Sequence, residues 1–194
     1  HGAFQTAIDR VGSRDPAAIL NVMNEIVRAP FAEQLASRQR VPTSMEAALV
    51  RIDTEQATLT YAGARIALYC VDREGTVTVC KGARRALGEK RQETYRSQTL
   101  PAQGLDCYLT SDGFLDQSGG PQEFGFGGSR FAGLLGTLHT LPWADRPEAL
   151  ASALTRWQGQ EPQLDDICVI GFTAMPDPRK PAGDLACSSS TTPA

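Results

Sequence analysis

The chain has 194 residues, 41% of them apolar and 21% charged, which is enough for one ordinary domain, or slightly more, with a substantial core. A formal net charge of -3, with only Arg84-Arg85 and Lys90-Arg91 as small basic clusters, argues against a nucleic-acid binder. No apolar run approaches the ~20 residues of a membrane span and no signal peptide is visible. A cytoplasmic domain is therefore expected, either on its own or within a longer, membrane-tethered sensor.

Helix comes first in chain order. Asp15 is a capping residue and Pro16 suits a first helical turn. Ile19, Leu20, Met23, Ile26 and Val27 follow at i, i+1, i+4, i+7 and i+8, one face of a 3.6-residue period. Pro30 and the polar stretch through Arg40 end or loosen this helix. Strands follow. Ala47 to Ile52 and Ala57 to Ala62 flank the turn Asp53-Thr54-Glu55-Gln56, a hairpin whose second arm alternates apolar and threonine residues. Ile66 to Val71 and Thr76 to Cys80 form a second hairpin around Asp72-Arg73-Glu74-Gly75. Glu93 to Leu100 and Asp106 to Thr110 complete an antiparallel run.

Helix then returns. A glycine-rich stretch, 118 to 129, leads into Phe131, Leu134, Leu135 and Leu138. Asp145 with Glu148 reads as a capping box opening a helix that buries Leu150, Ala153, Leu154 and Trp157. A loop delivers Asp165-Asp166 to the last strand, Ile167 to Phe172. From residue 175 the chain is rich in Pro, Ser, Thr and Gly, which predicts a flexible tail over 175–194. Five cysteines with no CxxC spacing, four of them in strand-like runs, read as reduced core residues. Neither histidine has the spacing of a zinc ligand. The whole is an α+β pattern, with antiparallel strands grouped between helices.

Two carboxylate clusters carry the chemistry. Asp112, in Leu109-Thr110-Ser111-Asp112-Gly113-Phe114-Leu115-Asp116, follows a strand and enters a glycine turn. Asp165 and Asp166 stand directly before another strand. Either stretch alone has a plain use, as a turn or a solvated acidic loop. Together, at strand ends on either side of two helices, they suit Mg²⁺ or Mn²⁺, which prefer carboxylate and water oxygens. Asp116 is better suited to a cap or local hydrogen bond. The glycines of Phe124-Gly125-Phe126-Gly127-Gly128-Ser129 lack the Lys-Ser or Lys-Thr and the βαβ setting of a phosphate loop. Ser111 lacks a nucleophile elbow, and His139 reads as a surface residue at a helix end.

Ser-Asp-Gly-Phe-Leu-Asp followed at this interval by Asp-Asp-Ile-Cys-Val-Ile resembles the last two metal motifs of PPM-type (protein phosphatase 2C-like) serine/threonine phosphatases. The closer resemblance is to the bacterial SpoIIE-like branch. Supporting matches are Leu59-Thr60-Tyr61-Ala62-Gly63-Ala64, Leu87-Gly88, Phe124-Gly125, and the opening His1-Gly2-Ala3-Phe4. The resemblance spans residues 1 to about 173. It implies an antiparallel β-sandwich flanked by helices, in α-β-β-α layers, with two Mg²⁺ or Mn²⁺ ions that activate a bridging water.

On this resemblance Asp112 and Asp165 are ligands of one ion, the chemistry depends on Asp112, and Asp166 is a ligand or a support to the ligands. The implied reaction hydrolyses phosphoserine or phosphothreonine on a regulatory protein, in this branch a phosphorylated STAS-type antagonist of an anti-sigma factor. The family's metal-bridging aspartate and N-terminal strands are expected upstream of His1, and three residues are absent between His-Gly and Ala-Phe. The chain is thus expected to be the larger, C-terminal part of a phosphatase domain, or else a catalytically incomplete binding module. Arg65 stands where many relatives have histidine and reads as a surface arginine. Oligomeric state is left open.

Overall fold

The computed structural model describes residues 2–29, 44–91 and 93–176. Among these are five α-helices and nine strands, a mixed architecture of helices and antiparallel sheets as expected. They fall into two compact units. One is the chain up to Leu68 plus Cys80–Ala102, the other Tyr69–Val79 plus the chain from Gln103 onward.

The first unit begins with a helix that the sequence reading passed over, α1 (Gly2–Val11). Its apolar residues Phe4, Ala7, Ile8 and Val11 fall at i, i+3, i+4 and i+7, the amphipathic spacing. Gly12, at φ +75°, ends it by donating to Ile8 O at 2.7 Å. The expected second helix, α2, spans Pro16–Arg28, with Asp15 as its cap accepting from Ala17 N at 3.0 Å. Its stripe of Ile19, Leu20 and Met23 is buried with Ala7, Ala62, Ala64, Leu87 and Tyr95. Each such large side chain contributes roughly 1.5–3 kcal/mol by leaving water.

The first hairpin forms as read, β1 (Ala47–Asp53) with β2 (Thr58–Ala64), pairing Ala47 with Ala64 through to Asp53 with Thr58. Asp53 Oδ1 accepts from Glu55 N and Gln56 N inside the turn. Those hydrogen bonds, Gln56 foremost, and Arg51 beside it hold the Asp53 carboxyl below the usual range. The stretch 93–100 is mostly irregular. Only β5 (Gln98–Pro101) is strand, and it pairs with β2 rather than with the strand that follows it. Asn21 exchanges two hydrogen bonds with the backbone of Tyr95, which fixes this stretch on α2 instead of in a sheet.

Tyr95 is 2% exposed, and burial pushes its phenol up to about 12. Its contribution to stability is intact below pH ~10, where the unfolded phenol is still protonated. It is lost as pH rises through 12. Denaturant midpoints should fall across that window, and Tyr95→Phe should lessen the fall.

The second unit is built on a four-stranded sheet in the order β4-β3-β6-β9, where β3 is Leu68–Val71, β4 Val77–Cys80, β6 Asp106–Thr110 and β9 Val169–Thr173. β6 pairs antiparallel with β3 and with β9, in register from Asp106–Thr173 to Thr110–Val169. Cys70 and Cys107 face each other across β3 and β6, both buried, with Cys107 Sγ donating to Cys70 Sγ at 3.6 Å, and Cys80 is also buried. Cys168 departs from the core reading and is exposed, because it precedes β9 rather than lying within it.

The glycine-rich stretch 118 to 129 holds a short hairpin, β7 (Ser118–Gly119) with β8 (Phe124–Gly125), which leads into α4 (Gly128–Leu138). Gly120, at φ +67°, lies flat on the Trp157 ring, and a side chain there would meet the indole. The last helix, α5 (Arg146–Gln158), follows a single 3-10 turn, Trp143–Asp145. The capping box does not form. Asp145 is helical itself and makes no side-chain cap, and Glu148 instead accepts from Ser152 Oγ.

What anchors α5 is Arg146, which is 4% exposed. Its Nη1 donates to Asp106 Oδ2 at 2.7 Å and to Tyr108 Oη at 2.8 Å, and its Nε to Leu141 O at 3.0 Å. The guanidinium lies 4.1 Å from the Trp143 ring centroid. Asp106 Oδ1 accepts from Thr173 Oγ1 at 2.8 Å, so one carboxylate serves two elements. At the other end of the chain, Gly104 N donates to Met175 O, and residues 177–194, Cys187 among them, lie outside the described residues. So do His1 and the stretch from Pro30 to Arg40.

Candidate functional site

Asp112 does not sit in a simple glycine turn. It is the first residue of a third helix in chain order, α3 (Asp112–Asp116), one turn long, with Ser111 at its N-cap position. A helix that short does not hold by itself. Phe114 holds it, 2% exposed, with its ring edge-on to Phe126 at 5.2 Å and to Phe131 at 5.0 Å. The series continues from Phe126 to Trp157 at 5.6 Å and from Phe131 to Tyr69 at 5.0 Å. The aromatic core thus fixes the element that carries Asp112.

Asp165 and Asp166 reach the same place from the other side. The β6–β9 ladder ends at Thr110–Val169, and Ser111 N extends it by donating to Cys168 O at 2.9 Å. The Ser111 hydroxyl makes no cap to its own helix. It donates to Asp166 O at 3.0 Å and accepts from Cys168 N at 3.0 Å. Gly113 then lies so close to the Asp166 carbonyl that a Cβ at position 113 would overlap it. Glycine is needed there for proximity rather than for an unusual φ. At the far end of α3, Gln117 Nε2 donates to Pro162 O at 3.0 Å and Gln117 O accepts from Trp157 Nε1 at 3.0 Å.

All three aspartates are exposed. Asp165 Oδ1 accepts from Asp166 N at 2.7 Å. Neither Asp112 nor Asp166 has a hydrogen bond or ion pair to its carboxylate among the described residues. Like charges gathered without a counter-charge repel, so this is a donor set whose chemistry fits a hard divalent cation. Among the described residues, however, no three His, Cys, Asp or Glu side chains converge closely enough to hold one. What meets is the backbone of the two segments, Gly113 against the Asp166 carbonyl, and a coordination shell there would need water or further donors.

Other candidates resolve simply. Asp116 is exposed at the C-terminal end of α3. His139 ends α4 with Nδ1 2.6 Å from Gly136 O. Arg65, in the first unit, pairs with Glu46 at 3.2 Å, with half its side chain exposed and φ at +67°. Sequence reasoning weighed Ser111 only as a nucleophile and did not single out Gln117. Their partners across the fold lie 40 to 57 residues away, and no local pattern marks such pairing.

A family model described as Stage II sporulation protein E (SpoIIE) matches residues 1–174. The chain belongs to that family. The SiaA-PP2C domain of Pseudomonas aeruginosa is 42% identical, with a TM-score of 0.77 over 89% of this chain and 66% of its own. The PP2C phosphatase domain of SpoIIE from Bacillus subtilis, solved with a regulatory fragment, is 14% identical with a TM-score of 0.64, over 88% of this chain and 49% of its own. RsbX, solved in complex with magnesium, is 14% identical with a TM-score of 0.55, over 88% and 70%. The last two show the fold alone, and this SpoIIE-family chain spans just under two thirds of the SiaA-PP2C domain. No curated protein matches it. Its mixed helix and antiparallel sheet architecture is that of the PP2C phosphatase domains. No helix among its described residues is long and apolar enough to cross a membrane.

Proposed function

We propose that this SpoIIE-family chain provides the larger part of a metal-dependent protein serine/threonine phosphatase, with Asp112, Asp165 and Asp166 as its carboxylates for Mg²⁺ or Mn²⁺. The observation that carries the reading is the close seating of Gly113 on the Asp166 carbonyl, which sets Asp112 beside Asp165-Asp166. RsbX, of the same fold, was solved with magnesium, which supports the choice of ion. Bound there, two such ions would orient and activate a water and offset charge on the phosphoryl oxygens.

The chain's own residues hold and aim. Asp112 presents its carboxylate from a helix fixed by Phe114, and Asp165 and Asp166 present theirs from the entry to β9. No protein nucleophile is required, in keeping with a Ser111 hydroxyl already engaged on both sides. The proposed substrate is a phosphorylated regulatory protein of the STAS type, in keeping with the SpoIIE-like branch, and the location is cytoplasmic.

Phosphate release by the full-length protein from such a phosphoseryl protein should stop in excess EDTA and return with Mn²⁺ or Mg²⁺. An undiminished rate in chelator would overturn the metal-dependent reading. That no three His, Cys, Asp or Glu side chains converge among the described residues favours a second reading, a binding module without catalysis. Calorimetric titration of the full-length protein with Mn²⁺ separates the two, since a module takes up no ion and releases no phosphate.

A further inference from the structure

We infer that Ser111 is a positioning residue, whose hydroxyl sets the spacing between Asp112 and the Asp165-Asp166 pair. The inference rests on the phosphatase reading above and adds a residue that the metal motifs do not assign. A serine at a helix N-cap ordinarily spends its oxygen on the backbone N–H groups of its own first turn. Ser111 makes no such bond, although α3 is only one turn long. Its hydroxyl is committed to the opposite segment instead, donating to Asp166 O and accepting from Cys168 N, both at 3.0 Å. One side chain therefore ties β6 to the chain ahead of β9 as far as the carbonyl of Asp166, a carboxylate-bearing residue.

The physical need for such a brace comes from the charges. Beyond the Ser111 N–Cys168 O bond no backbone pairing joins the segments among the described residues, and like-charged carboxylates on either side repel until a cation lies between them. A site that gathers its ligands only when the ion arrives binds it more weakly than one already assembled. The Ser111 bridge acts on backbone atoms of residues 166 and 168 and contacts no ion itself. Groups that orient ligands from behind typically change metal affinity by 10- to 100-fold when removed.

The test compares Ser111→Ala and Ser111→Thr in the full-length protein, with Mn²⁺ binding read by electron paramagnetic resonance and phosphate release measured separately. Ser111→Ala should weaken Mn²⁺ binding about tenfold or more. Its lost phosphate release should return at high Mn²⁺. Ser111→Thr, which keeps the hydroxyl, should restore affinity to near the parent value. A merely structural serine predicts a lower unfolding midpoint with Mn²⁺ affinity unchanged, and that outcome overturns the inference. Should Ser111→Ala not fold, Mn²⁺ affinity in Ser111→Thr decides, and a loss equal to that of Ser111→Cys counts against it. If the parent protein binds Mn²⁺ and both variants match it, only this inference fails. If the parent binds none, the phosphatase reading fails first and takes this one with it.

Discussion

On the proposed phosphatase reading, replacing Asp112 with alanine should lower Mn²⁺-supported phosphate release by about a thousandfold and leave the fold in place. The two halves of this expectation have separate causes. Asp112 is exposed, and its carboxylate accepts no hydrogen bond from any described residue, so the fold does not depend on it. The helix it starts is held by Phe114 in the aromatic core and by Gly113 against the Asp166 carbonyl. Truncation at such a position typically costs within ~0.5 kcal/mol of stability. The activity loss arises because a ligand carboxylate supplies charge that a hard cation needs, and stabilisation by the ion is worth several kcal/mol in the transition state. At 1.36 kcal/mol per tenfold, ~4 kcal/mol gives the stated loss. Steady-state kinetics beside a urea melt check both halves, and activity within tenfold of the parent would remove Asp112 from the site.

Arg146→Ala has the opposite signature. It should destabilise the protein by roughly 3–5 kcal/mol, the usual consequence of removing one partner from a buried ion pair. Asp106 would keep Thr173 Oγ1 but lose its only described cationic partner. Tyr108 Oη would lose its donor, and the carbonyls of Leu141 and His139 would go unserved. The stacked guanidinium over Trp143 would vanish as well. Arg146→Met, which fills the volume without charge, should recover only part of the loss, since the Asp106 carboxylate stays uncompensated. Urea unfolding curves measure the difference, and a loss under ~1 kcal/mol would show that Arg146 is not the anchor of α5.

Periodicity and turn chemistry made most of the fold legible. The α2 stripe, the first hairpin and the extent of β6 lie where alternation and capping residues put them, because in each the local preference and the buried face agree. The stretch from Glu93 fails that test. Asn21, more than seventy residues earlier, takes the Tyr95 backbone into its own hydrogen bonds and leaves only four residues to β5. Asp145 fails for a similar reason, since Arg146 supplies the fixation that a cap would have given. α1 has the amphipathic spacing of a helix, but its opening Gly2-Ala3-Phe4 also reads as the end of a motif, which masks it.

At the candidate site, residue types and order single out Asp112, Asp165 and Asp166. That Gly113 is squeezed between the segments, and that the Ser111 hydroxyl faces away from its own helix, depends on contacts across more than fifty residues. No window along the chain displays those.

The aromatic series beneath α3 has a practical consequence. Trp157, one of two tryptophans in the sequence, donates from Nε1 to the carbonyl of Gln117, the residue that follows α3, and stands edge-on to Phe126. Phe126 in turn touches Phe114, two residues from Asp112. An indole so placed is an intrinsic fluorophore wired to the candidate site. With Trp143 replaced by phenylalanine, its emission follows events at α3 in solution without a label or a phosphorylated substrate.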